Sequence, residues 1–399
     1  MNNSDLISHM TTWRHALHAH PEIAFEERGT ADLVATVLRQ YGYAVTERVG
    51  RTGVVGTLSR GLGPSIALRA DMDALPVTEE NAFAHRSTHQ GKMHACGHDG
   101  HTAMLLGAAA ALSVDSDWHG TVHLIFQPAE EAAGGGREMM EDGLFERFPC
   151  DAVFGLHNWP GLPAGEFSIN SGAMMASFDT FEITVDGRGS HAAMPEEGND
   201  VLLCASQIVI SLQTIASRRI APTQACVVSV TQIHGGEAWN VLPGRAVLRG
   251  TVRCFSAEVR NTIRTLIDEI STSTAAVFGA HATLSYRTAY PATINHPACA
   301  ELAAQAAAVT VGMAAVRRER TPSMASEDFS FMLEGKPGAY IWLGVDGAAP
   351  SAPLHNPHYD FNDSVLEVGM AYWVNLVKTF GQHRDASPHR EGAVSVNIA

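Results

Sequence analysis

The chain has 399 residues, 45% apolar and 17% charged, with 36 Gly and 18 Pro, a composition that excludes disordered, collagenous and small disulfide-stapled folds. At about 100–200 residues per domain, this length predicts two or three domains. With 27 basic against 42 acidic residues the net charge is −15, which repels phosphate backbones and anionic lipid. No basic patch offsets it, so neither nucleic acid nor a membrane surface is expected as a partner.

The six cysteines (Cys96, Cys150, Cys204, Cys226, Cys254 and Cys299) are scattered without CxxC spacing, as expected for thiols in a reducing compartment. The start of the chain, with Asp5, His9, Arg14, His15, His18 and His20, leaves no room for the apolar stretch of a signal peptide. No run of about 18 uncharged apolar residues occurs, so no bilayer span is expected. A cytoplasmic location follows as the expectation.

In chain order, Leu33, Val34, Val37 and Leu38 recur at helical spacing within residues 29–41, and Gly42 stands as the stop. Short apolar runs then alternate with helical ones: Ile66–Ala70, Thr121–Phe126, Ala152–Leu156 and Tyr340–Leu343 read as buried strands, Thr102–Leu112 and Val365–Phe380 as helices. That alternation predicts an α/β domain with a largely parallel sheet flanked by helices. The middle reads differently, as strand Phe178–Asp186, helix Asp200–Ser217, strands Ala225–Ile233 and Ala246–Phe255, helix Ala257–Phe278 and strand Ala282–Tyr286. This βαββαβ order is a self-contained α+β unit. The predicted partition is a catalytic domain in two parts, 1–178 and 292–381, an inserted lid or dimerisation domain at 179–291, and a tail at 382–399.

Acids and histidines fall just past the strand ends. Ile66–Ala70 leads to Asp71 and Asp73, Thr121–Phe126 to Glu130 and Glu131, Ala152–Leu156 to His157, and Tyr340–Leu343 into the loop holding His355. Open α/β sheets bind ligands at the carboxyl ends of their strands, so these patches are candidates for one crevice. A fifth patch, His94-Ala-Cys96-Gly-His98-Asp99-Gly-His101, precedes a helix, where the dipole favours thiolate. A core has little use for two adjacent glutamates and a Cys-Gly-His at strand ends, because buried unpaired charge costs several kcal/mol. One Cys, several imidazoles and a carboxylate suit Zn, Co, Ni or Mn rather than Ca or Mg. No GxSxG, HExxH or P-loop sequence occurs.

The runs Leu-Arg-Ala-Asp71-Met-Asp73-Ala-Leu-Pro, Met-His-Ala-Cys96-Gly-His98-Asp-Gly-His101-Thr-Ala, Phe-Gln-Pro-Ala-Glu130-Glu131, Gly-Leu-His157-Asn, Gly-Ser-His191-Ala-Ala-Met-Pro and Leu-His355-Asn-Pro together resemble the M20 metallopeptidases. Within them, the branch of amidohydrolases that cleave N-acyl and N-aroyl amino acids is the most similar. The resemblance implies a two-metal catalytic domain with an inserted lid or dimerisation domain, and a homodimer or higher homo-oligomer. It places Cys96, His98, Glu131, His157 and His355 as metal ligands, Glu130 as general base, and Asp73 as an orienter behind the ligands. His191 resembles the family histidine that reaches a neighbouring subunit's site to help hold an oxyanion. Asn240 and Arg253 fall where relatives bind the substrate's carboxylate or carbonyl, and Glu327 sits near the site. The implied reaction is hydrolysis of an N-acyl amino acid, Glu130 taking a proton from the attacking water and passing it to the departing amine. Dipeptidase or carboxypeptidase activity on the same scaffold, and a silent conjugate binder, are the alternatives. The lid departs from its relatives at Glu196-Glu197 and Asp200-Val201.

Overall fold

The computed structural model describes residues 3–131 and 134–385. The chain divides into two compact units, Met1–Gly172 with Asn295–Arg320 and Phe331–Ala399, and Ala173–Ile294 with Thr321–Ser330. Besides the insert, the second unit thus takes in a short later stretch. Residues 382–385 continue the helix Leu366–Asp385; the rest of the expected tail lies outside the described residues.

The first unit is built on an eight-stranded sheet. Strands β1 (Ala44–Val49), β2 (Gly53–Arg60), β3 (Ser65–Asp71), β4 (Gly120–Gln127), β5 (Ala152–Pro163) and β6 (Phe167–Ile169) join strands Val316–Arg318 and Gly338–Asp346. Across the sheet the order is β1-β2-β4-β3-β5, then Gly338–Asp346, β6 and Val316–Arg318. β4, β3, β5 and Gly338–Asp346 run parallel, whereas β1 and β2 form an antiparallel edge. β3 and β4 are buried along nearly their whole length, which requires helices on both faces. α1 (Asn3–Ala19), α2 (Arg28–Gln40), α3 (His98–Val114) and the helix Leu366–Asp385 supply that cover. In register, Ile66 lies opposite both Val122 and Ala152, and Asp71 opposite Gln127. The carboxyl ends of the central strands therefore finish level.

In the second unit the strands Cys226–Gly235, Arg245–Cys254, Phe178–Asp186 and His281–Tyr290 lie in that order, all antiparallel. Phe178–Asp186 alternates buried and half-buried positions, so one face packs and the other does not. Phe181, Ile183 and Val185 meet Ile208 and Ile263 of helices Val201–Leu212 and Ala257–Val277 in one core. Asp200 Oδ1 accepts the Leu202 and Leu203 amides at 3.1 and 2.9 Å, capping the helix. Among the described residues one helical stretch, Val201–Arg219, is long and apolar enough to cross a membrane by length and composition. Its Val201, Cys204, Ala205, Ile208, Leu212 and Ile215 lie in this unit's core.

Candidate active site

Within the first unit, β3 ends on Asp71 and leads to Asp73, β4 ends on Gln127 and leads to Glu130 and Glu131, and β5 carries His157. α3 begins at His98, earlier than the sequence suggests, and Gly97 is its N-cap at φ 89. That left-handed conformation favours glycine, and a Cβ there would meet Asn158 Oδ1 at 2.2 Å and the Tyr359 hydroxyl at 2.9 Å. The Cys96-Gly97-His98 turn is thus pressed against Asn158 of β5. His355 arrives on a loop, also at positive φ, with its amide donating to the Ala95 carbonyl at 2.8 Å.

All five expected ligands come together. Cys96 Sγ lies 3.4 Å from His157 Nε2, and Glu131 Oε1 lies 3.3 Å from His355 Nε2 and 3.9 Å from His98 Nε2. Ligand atoms of Cys96, Glu131 and His355 are mutually within 4.8 Å, as are those of His98, Glu130 and Glu131. Atoms held about 2.0–2.3 Å from a shared cation sit about 3–4 Å apart, so the spacings fit transition-metal coordination. His98 Nε2 and Glu131 Oε1 are buried without a hydrogen-bond partner. A cation bound by both residues would satisfy two atoms that otherwise pay for their burial.

The electrostatics agree. Burial alone would lower His98, but the charges of Asp71, Asp73 and Glu131 outweigh it and raise the imidazole to about 10; the same acids would attract a metal cation, which binds Nε2 in place of its proton. Burial, then neighbouring His101, holds His157 well below the ordinary histidine value, in the neutral form that ligates. Its Nδ1 donates to the Asn158 carbonyl at 2.6 Å, leaving Nε2 towards Cys96. At Cys96, burial and the charges of Glu131, Glu130 and Asp71 push the thiol well up. These oppose the thiolate that the helix start favours, and a bound cation would restore it.

Asp73 ties two of the candidate ligands together, accepting from His98 Nδ1 at 3.1 Å through Oδ1 and from the Glu131 amide at 3.0 Å through Oδ2. Sequence reasoning overlooked the buried chain behind them. Arg69 Nη1 donates to Asp71 Oδ2 at 2.7 Å, Arg69 Nε to Gln127 Oε1 at 2.8 Å, and His101 Nδ1 to Asp71 Oδ1 at 2.5 Å. The Asn158 amide donates to His101 Nε2 at 2.9 Å. An imidazole that accepts at Nε2 carries its proton on Nδ1, so His101 has both nitrogens committed and is no ligand, although Asp71, His98, His101 and His157 crowd within 4.8 Å. The available signal was Arg69, a charge inside an otherwise apolar strand.

The remaining candidates belong to the second unit. His191 and Asn240 are exposed and adjacent: Ser190–His191 pairs with Val241–Leu242, and the Ala192 amide donates to the Asn240 carbonyl at 3.0 Å. Arg253 lies elsewhere, its guanidinium 4.2 Å from the Phe178 ring centroid and its Nη1 buried without a hydrogen-bond partner. Burial lowers it from the usual arginine value. Glu327 is buried, and its Oε1 accepts the Phe329 amide at 2.9 Å.

A ring of thiol, imidazole and carboxylate at the carboxyl edge of a largely parallel sheet, with an antiparallel α+β unit inserted in the chain, defines a metal-dependent hydrolase. The profile of peptidase family M20/M25/M40 matches residues 67–379, and the chain belongs to this family as a metal-dependent amidohydrolase. It is 40% identical over 373 residues to the hippurate hydrolase of Campylobacter jejuni, covering 93% of this chain and 96% of that one. Over 368 residues it is 37% identical to the N-acetyl-L-cysteine deacetylase of Bacillus subtilis, covering 92% and 86%. The crystal structure of a Bacillus subtilis protein, a dinuclear metal binding peptidase from the M20 family, superposes with a TM-score of 0.84 at 32% identity, covering 95% of this chain and 99% of that one.

Proposed function

We propose that the protein hydrolyses the amide bond of N-acyl or N-aroyl amino acids to a carboxylic acid and a free amino acid. Two divalent cations (Zn, Mn, Co or Ni) are held by Cys96, His98, Glu131, His157 and His355. The observation that carries this reading is the pair of orphaned buried atoms, His98 Nε2 and Glu131 Oε1, beside a second buried acid, Glu130. Hippurate and N-acetylcysteine, the compounds in the relatives' names, are an N-aroyl and an N-acyl amino acid. When bound, the cations polarise the amide carbonyl and acidify water. Glu130 takes the proton of the attacking water and returns it to the leaving nitrogen. Asp73 keeps His98 Nδ1 protonated, so that Nε2 offers its lone pair. For the substrate, we assign its carboxylate to the planar fork of Arg253, its carbonyl oxygen to His191 and Asn240, and the pocket's shape partly to Glu327. The active form is taken to be a homodimer or larger homo-oligomer in the cytoplasm. All six cysteines are unpaired, as suits a reducing compartment.

The test is a panel of acetyl-, benzoyl- and indoleacetyl-amino acids and dipeptides on protein reconstituted with each metal, with and without chelator. Hydrolysis of acyl conjugates that chelator abolishes and metal restores is expected. Turnover of dipeptides alone would move the assignment to a dipeptidase, and binding without turnover to a conjugate binder.

A further inference from the structure

Glu130 and Glu131 are neighbours in sequence, and in extended backbone their side chains would point apart. The residue that turns the chain before them is Ala129, at φ 53. A residue with a Cβ holds that left-handed conformation only where its surroundings enforce it. Here both sides of the residue are gripped. Its carbonyl accepts the Gly135 amide at 3.0 Å, and its own amide donates to Glu27 Oε1 at 2.9 Å.

Glu27 comes from the entrance to α2, far away in the sequence, and is fully buried. It stands at the helix N-cap yet makes no side-chain capping bond. Its bonds go elsewhere: Oε1 also accepts the Phe25 amide at 2.9 Å, and Oε2 accepts the Thr52 hydroxyl at 2.6 Å. Phe25 is another non-glycine residue at positive φ. Burial pushes the Glu27 carboxyl up to about 7, a cost that needs a return. Neither the ligand set nor the proton path uses this acid.

We propose that Glu27 is a positioning residue for Glu130: by accepting the Ala129 amide it holds the left-handed turn that aims the two adjacent acids at one centre. The inference rests on the reading of Glu130 as the proton carrier. Glu27→Leu removes the acceptor, whereas Glu27→Gln keeps an oxygen for both amides and an N–H for Thr52. Ala129→Gly lets the turn form unaided.

The experiment measures kcat, KM, bound cations and Tm for these variants and for the Glu27→Leu/Ala129→Gly double variant. Misplacement of a catalytic group predicts a kcat lower by about 10- to 100-fold in Glu27→Leu, with KM little changed and two cations retained because Asp73 still holds the Glu131 amide. Glu27→Gln stays within about threefold of the parent, and Ala129→Gly recovers at least about fivefold of the Glu27→Leu loss. Parental kcat in Glu27→Leu, an equal loss in Glu27→Gln, or no recovery from Ala129→Gly each overturns the proposal. If Glu27→Leu does not fold, Glu27→Asp, too short to reach the Ala129 amide, is read by the same criteria. Glu130→Gln is run alongside: its normal turnover removes the proton-carrier reading, while a dead Glu130→Gln with an unaffected Glu27→Leu removes only this inference.

Discussion

In the second unit, the buried carboxylate of Asp179 is fully matched: Oδ1 accepts the Ala289 amide at 3.0 Å, and Oδ2 accepts Arg260 Nε at 2.7 Å and the Tyr286 hydroxyl at 2.6 Å. In the first unit, acids and imidazoles are buried just as deeply at the strand ends, but His98 Nε2 and Glu131 Oε1 are left without hydrogen-bond partners. The contrast separates two uses of buried charge. A matched pair locks an architecture; an unmatched cluster awaits something from outside the chain.

The comparison breaks most visibly at Glu130. Glu130→Gln should keep both cations and lower kcat by about 10²–10⁴-fold, read by steady-state assay with metal analysis. Near-normal turnover would remove the catalytic reading of the unmatched cluster. For the matched knot, Asp179→Ala leaves Arg260 uncompensated and should cost about 3–5 kcal/mol of stability in denaturant unfolding, with cation content unchanged. A loss of cations instead would erase the distinction between the units.

His18 sharpens the comparison within the first unit. Burial works against its charged form, but hydrogen bonds and charges from Asp99 and Glu79 prevail and raise it from 6.5 to about 9. Because the folded value lies above the unfolded one, its stabilisation is complete below pH 6.5 and is lost as pH rises through 9. The full difference is on the order of 3 kcal/mol. Stability followed by urea unfolding from pH 6 to 9.5 should fall, and His18→Gln should flatten the curve. The smallest effect is expected behind the ligands. His101→Leu cuts the link from Asp71 to the Asn158 amide and should weaken the cation held by His157 by about 10- to 100-fold in a calorimetric titration. Two cations bound with undiminished affinity would show that the Arg69–Asp71–His101 chain serves only the fold.

Much of the site was legible because its residues sit in compact runs: Cys96 and His98 flank one glycine, Glu130 and Glu131 adjoin, and each run follows a strand whose unbroken apolar character marks it as central. The alternation in Phe178–Asp186 likewise announced a half-covered antiparallel sheet. Other features left no such trace. α1 escaped notice because its buried positions include Arg14 and His18 as well as Leu6, Met10 and Leu17, so charge interrupts the apolar stripe. The Gly134-Gly-Gly136 run reads as a flexible turn in sequence, yet a Cβ at Gly135 would lie 1.7 Å from the Pro128 carbonyl oxygen. That glycine is there for close packing behind the two acids.

Local periodicity and motif composition, acting over a few residues, were enough to determine the central strands, several of the helices and the inventory of candidate ligands. Only tertiary structure decided that Glu27 grips Ala129, that Arg69 reaches Gln127, that His101 takes the Asn158 amide and that Thr321–Ser330 joins the second unit. Those contacts join residues far apart in the chain. Their energy comes from desolvated hydrogen bonds whose partners no short window of sequence contains.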